Sequence, residues 1–113
     1  MPIFRLGVLN HAKGYVLNKL FEQHRIGGKH IPIRLLQKGY PPKWRHLIGD
    51  AIEALRHEGL ILVQKKRTQR SYSLHACLVA SRLGECRALI NAYRTYEDLG
   101  PVGVDMNTIL PVQ

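Results

Sequence analysis

Cysteine, acidic residues and long apolar runs are all scarce in this sequence, and each scarcity excludes a class of protein. The 113 residues include only Cys77 and Cys86, too few for the disulfide framework of a small secreted domain. Apolar runs such as residues 60–63 are far shorter than the roughly 20 residues that cross a bilayer. Residues 1–5 do not have the charged and apolar pattern of a signal peptide. We therefore expect a soluble, cytoplasmic protein with no membrane partner.

The shortage of acidic residues leaves a strongly basic chain. There are 17 Lys and Arg against 8 Asp and Glu, which gives a formal net charge of +9 and a pI near 10.0. Such a charge attracts polyanions, and nucleic acid is the first of them. Hydrophobic residues make up 45% of the chain, so its length suits one domain with a packed core.

Helical spacing of apolar residues predicts four helices. The first is capped by Asn10 and ended by Gly27-Gly28, and a short second helix covers residues 31–38. The third covers residues 42–58, with Pro42 in its first turn and Gly59 as its C-cap. Its apolar stripe consists of Leu47, Ile48, Ala51, Ile52 and Leu55. The fourth helix covers residues 82–98.

Two strand-like segments, residues 60–64 and 71–74, follow the third helix and flank a cationic loop. Four positive charges fall within six residues of this segment: Lys65, Lys66, Arg67 and Arg70. Such lysines can protect an exposed sheet edge against aggregation. They can also contact the phosphates of a nucleic acid, which the basic character of the whole chain favours.

The stretch 51–74 resembles a winged helix-turn-helix domain. In that family the third helix typically ends in Leu-x-x-x-Gly-Leu-Ile, matched here by Leu55, Gly59, Leu60 and Ile61, and the wing often closes on Tyr-x-Leu, matched by Tyr72 and Leu74. The resemblance covers roughly residues 10–75. It implies an α+β fold with a three-helix core, a two-stranded basic wing and an additional C-terminal helix. The expected organisation is a winged-helix domain over residues 1–80, with a C-terminal helix and apolar tail over 81–113 in the same compact unit.

The resemblance implies a small transcription regulator, nucleoid-associated, that binds double-stranded DNA. Helix 42–58 would read the major groove and the wing, residues 64–71, would contact phosphates. The expected DNA-binding residues are Lys43, Arg45, His46, Gly49, Lys65, Lys66, Arg67 and Arg70. A protein-interaction module in a larger assembly and an RNA or nonspecific nucleic-acid binder are the alternatives. Asp50 and Glu53 on the third helix can accept a bond from cytosine or simply be solvated.

Several remaining features carry expectations of their own. By helical angle Trp44 falls on the core side of the third helix and is expected to pack rather than stack on bases. Cys77 and Cys86 are expected to be buried. No catalytic motif or complete zinc-ligand set is visible, so we expect no enzyme activity, metal or cofactor. The apolar side of the fourth helix can be core or a dimer seam, and the surplus apolar surface of this helix and the tail favours a homodimer through residues 86–110.

Overall fold

Four α-helices and a three-stranded antiparallel sheet form the part of the chain that the structure, a computed structural model, describes: residues 7–67 and 71–97. The helices are α1 (Val8–Glu22), α2 (Ile33–Leu36), α3 (His46–His57) and α4 (Leu83–Tyr96). The strands are β1 (Ile31–Pro32), β2 (Ile61–Arg67) and β3 (Tyr72–Leu78). Two 3-10 turns, Pro42–Trp44 and Ala80–Arg82, precede α3 and α4. This α+β arrangement is compatible with a winged-helix layout.

The first helix differs from its prediction at both ends. It starts at Val8 with Gly7 as the N-cap, so Asn10 lies inside the helix rather than capping it. It ends at Glu22, before the glycine pair, because His24 adopts a left-handed backbone with φ of 57°. Gly27 and Gly28, both at positive φ, instead form the turn that leads to β1.

Residues 31–38 do not form the single helix that was predicted. Ile31 and Pro32 are extended and pair with Ala76 and His75 of β3, and only Ile33–Leu36 is helical. A residue that precedes proline is sterically disfavoured in the α region, which explains why Ile31 is extended. The sheet order is therefore β1-β3-β2, with the last strand of the described residues in the middle.

The third helix confirms the predicted apolar stripe. Ile48, Ala51, Ile52 and Leu55 are buried and Leu47 is partly buried, and this side packs on α1. The first turn of the predicted helix 42–58 is a 3-10 turn rather than α-helix. The helix ends at His57, and Gly59 follows with φ of 77°, the left-handed conformation expected where a helix stops.

The fourth helix is slightly shorter than the predicted span 82–98 and lies along α1. Its residues Cys86, Ile90 and Tyr93 are buried in the same core as α1 and α3. Arg94 Nη1 donates to Asn18 Oδ1 at 3.2 Å and to Glu22 Oε2 at 2.9 Å, which ties the two helices together. The predicted apolar tail, which follows Gly100-Pro101, lies outside the described residues.

Candidate nucleic-acid interface

The β2–β3 hairpin carries its cations on the strand itself. Strand β2 continues through Arg67, three residues beyond its predicted end, so Lys65, Lys66 and Arg67 are strand residues and not part of a loop. They pair with Leu74, Ser73 and Tyr72 of β3, respectively. Because side chains alternate along a strand, Lys66 lies on the opposite face from the other two. All three are exposed, whereas Arg70 lies outside the described residues.

An aromatic ring supports one of these cations. Lys65 Nζ lies 5.5 Å from the ring centroid of Tyr72, whose side chain is 59% exposed. The two residues are diagonal neighbours on one face of the hairpin, where cross-strand pairs interact. This cation–π contact restricts the ammonium group of Lys65 without neutralising its charge.

The exposed face of α3 is polar but not basic. His46, Gly49, Asp50 and Glu53 are exposed there, as the apolar stripe on the other side requires. Arg56 forms an ion pair with Glu53, and its hydrogen bond lowers the pKa of that carboxyl. Arg56 and Glu53 therefore neutralise each other, while the Asp50 carboxylate faces solvent.

The cations near α3 precede it or lie at its first turn. Lys43 is exposed, with its Nζ atom 5.5 Å from the centroid of Trp44. Arg45 donates from Nε to the carbonyl of Tyr40 at 3.0 Å and from Nη2 to that of Lys38 at 3.3 Å. Its guanidinium thus holds the turn between α2 and α3, a task that its sequence position did not indicate.

The prediction that Trp44 packs in the core is wrong, because its side chain is 43% exposed. The error has a geometric cause. Residues 42–44 form a 3-10 turn, in which each residue advances about 120° rather than the 100° of an α-helix. Extrapolating the helical angle of α3 backwards through this turn therefore gives the wrong direction for the indole.

A second group of cations surrounds His75 on β3, and sequence reasoning did not identify it. Burial is the largest cause that lowers the pKa of His75, and the nearby groups of Lys66, His30 and Arg34 lower this pKa further. Ser73 Oγ lies 2.8 Å from His75 Nε2. The strand order β1-β3-β2 brings residues 30–34 beside residue 75, and no local pattern in the sequence reveals that pairing.

Neither the cysteines nor the acidic groups suggest other chemistry in the described residues. Cys77 and Cys86 are free and buried, as predicted, and burial raises the pKa of Cys86 to about 11, which keeps it a thiol. Within residues 7–67 and 71–97 no three His, Cys, Asp or Glu side chains are grouped to hold a metal ion. None of the helices found there has the length and apolar character needed to cross a bilayer.

Comparisons with protein-family models, curated proteins and solved structures found no match to this chain.

Proposed function

We propose that this protein is a winged-helix DNA-binding protein that acts as a small transcription regulator. The observation that carries the proposal is the cationic β2–β3 hairpin, which directly follows a helix with one buried apolar face and one uncovered polar face. An α-helix of this kind fits the DNA major groove, with residues of its N-terminal end nearest the base edges. Strand β2, whose far end carries Lys65, Lys66 and Arg67, begins after the three-residue connection 58–60 that follows this helix.

The roles of the proposed residues follow from their surroundings. Lys65, Lys66 and Arg67 contact phosphates and contribute affinity for any sequence. Lys43 and His46 approach base edges at the start of α3, and Gly49, which has no Cβ, lets the helix come close to the DNA. Arg45 positions this region through its bonds to the turn before α3. Arg70 extends the phosphate-contacting set.

A protein-interaction module is the second candidate, and two exposed leucines favour it. Leu62 and Leu74 are 48% and 49% exposed on β2 and β3, respectively. The register places them on opposite faces of the sheet, so either could contact a partner only separately. The acidic residues of α3 suit a basic partner better than they suit phosphate. In this case the net charge serves solubility.

Binding to a labelled random duplex across a salt series tests the proposal. A DNA-binding protein should bind at low salt, and the logarithm of its affinity should fall linearly with the logarithm of salt concentration. Selection from a random pool should then yield a preferred sequence, and RNA should compete poorly. Binding without any selected sequence, or strong competition by RNA, contradicts the regulator. Absence of binding at low salt supports the interaction module.

A further inference from the structure

A cleft of about 330 Å³ lies where the beginning of α1, the turn before α3 and the end of α4 meet. Its volume is near the lower end of the range for small-ligand sites. Four aromatic rings, three aliphatic side chains and one carboxylate line it. They include His11, Tyr40, Trp44, Leu47, Tyr96 and Glu97.

A chain of two hydrogen bonds fixes one wall of this cleft. His11 Nε2 lies 2.6 Å from Glu97 Oε2, and His11 Nδ1 lies 2.6 Å from the hydroxyl of Tyr40. A carboxylate can only accept, so Nε2 carries the hydrogen; in the neutral ring Nδ1 then accepts from the tyrosine. The ring of Tyr96 stands edge-on to His11 with centroids 5.3 Å apart. The wall is therefore ordered before any ligand arrives.

The cleft is lined by one carboxylate and four aromatic rings although the protein as a whole carries +9. Among the described residues that line it, Glu97 is the only Asp, Glu, Lys or Arg, and aromatic faces present the negative part of a quadrupole. Burial first, and then the charge of Glu97, raise the pKa of Tyr40. The indole of Trp44 already attracts one cation, because Lys43 Nζ lies 5.5 Å from its centroid. No lysine or arginine is among these lining residues, so the cleft offers a cation one carboxylate and several aromatic rings.

The same lining distinguishes between kinds of cation. A primary ammonium is strongly hydrated and has three N–H groups that need acceptors, whereas two acceptors of this lining, Glu97 Oε2 and the Tyr40 hydroxyl, are already bonded to His11. A trimethylammonium group has no N–H group, and aromatic rings with a nearby carboxylate attract it. We propose that this cleft binds the trimethylammonium head group of a small organic cation. The binding itself does not depend on the proposed DNA function.

Trp44 makes this proposal directly measurable, because it is the single tryptophan of the chain. Choline should quench or shift its fluorescence in a saturable titration of the protein without DNA. The uncharged isostere dimethylbutanol, which replaces nitrogen by carbon, should bind about tenfold more weakly, a difference of about 1.4 kcal/mol. Equal affinity of the two compounds, or no saturable response to choline, overturns the proposal.

Two substitutions separate the head-group site from a general apolar surface. Glu97→Gln keeps an acceptor for His11 but removes the charge, so it should weaken choline several-fold and leave dimethylbutanol unchanged. Tyr96→Leu removes a half-exposed ring of the cleft and should also weaken choline. Tyr72→Leu changes a tyrosine of the hairpin that is 59% exposed against 50% for Tyr96, so it is the matched control and should have no effect. Choline binding that is unchanged in both cleft variants overturns the assignment.

A further arm of the experiment identifies the source of the head group. Acetylated trimethyl-lysine amide presents the same group at the end of a peptide side chain. Choline binding equal to or tighter than that of the peptide mimic supports a free small cation. At least tenfold preference for the peptide mimic overturns the small-ligand assignment and points to a methylated protein. Duplex binding is measured separately, so loss of one activity does not count against the other.

Discussion

Gly14 of α1 lies directly against Tyr93 of α4. A Cβ atom at residue 14 would overlap Tyr93 Cβ and lie 3.1 Å from the carbonyl oxygen of Leu89, which is backbone and cannot move alone. We therefore predict that Gly14→Ala forces α1 and α4 apart and lowers the free energy of unfolding by about 1–3 kcal/mol. Urea denaturation measures the change.

Gly49→Ala is the matched control for this prediction. Gly49 is also helical, but a Cβ atom added there would meet no described neighbour within 4 Å. Alanine restricts the backbone more than glycine does, so Gly49→Ala should leave the free energy of unfolding unchanged or raise it by about 0.5–1 kcal/mol. Similar destabilisation by both substitutions would mean that close packing at Gly14 is not what matters.

Arg45 should contribute to stability as well as to any DNA contact. Arg45→Ala removes hydrogen bonds to the Tyr40 and Lys38 carbonyls, so we expect a loss of about 1 kcal/mol in unfolding free energy. Arg87→Ala, an exposed arginine of α4, should change stability by less than about 0.5 kcal/mol. Urea denaturation of both variants measures the change, and an equal loss of unfolding free energy in the two would contradict the role of Arg45 in holding the turn.

The hairpin should account for much of the salt dependence of DNA binding. Replacing Lys65, Lys66 and Arg67 together by Ala should flatten the slope of log affinity against log salt by about 0.9 for each lost phosphate contact, up to about three contacts. Adding Arg70→Ala extends this to about four by the same rule. Arg87→Ala is the control, because it removes one positive charge outside the hairpin. An unchanged slope in the hairpin variant would mean that Lys65, Lys66 and Arg67 do not contact the DNA.

Base discrimination should depend on His46. His46→Ala leaves the bonds of Arg45 intact, and its exposed position predicts an unchanged fold. We expect the preference for one base pair in the selected sequence to weaken by about 1–3 kcal/mol. Selection from a random pool with parent and variant measures this. Identical selected sequences would show that base readout lies elsewhere on the chain.

The imidazole of His75 should titrate below its usual pKa of 6.5, because burial and the positive groups of Lys66, His30 and Arg34 disfavour its charged form. The unfolded chain then binds more protons, so stability falls as pH drops from 6.5 toward the lower folded value. Lys66→Gln should raise the midpoint observed by NMR. Bound duplex should raise it further if phosphates approach Lys66. A midpoint that Lys66→Gln does not move would contradict this arrangement.

The predicted homodimer through residues 86–110 now has a narrower candidate surface. Ile90 and Tyr93 are buried against α1 within one chain, so they cannot form a seam between two chains while the fold stays intact. The side of α4 that faces away from α1 includes Ala88, Ala92 and Thr95. Residues 98–110 of the predicted interface lie outside the described residues.

Sedimentation at micromolar concentration should therefore show a dimer that Ala92→Arg dissociates, because a long charged side chain cannot be accommodated where two helices approach closely. Ser81→Arg adds the same charge at an exposed position outside the predicted interface and should leave the dimer intact. A parent protein that sediments as a monomer would contradict the predicted homodimer.

The sequence was most informative where many residues repeat one signal. Four buried side chains at helical spacing predict the apolar stripe of α3. Two apolar segments around a polar connection predict the hairpin. Strand β1 has only two residues, and its pairing partner lies more than forty positions away, so no periodicity could reveal it. The positions of the Trp44 and Arg45 side chains could not be predicted for a related reason, because both depend on the geometry of a short 3-10 turn.

The position of β3 in the middle of the sheet determines when the fold can form. Strand β1 has no partner until residues 75 and 76 are available, and α1 remains uncovered on one side until α4 is present. A chain emerging from the ribosome therefore cannot complete its sheet or its core from the first sixty residues. Because such distant contacts must close together, folding should be cooperative and slower than in a bundle built from neighbouring helices.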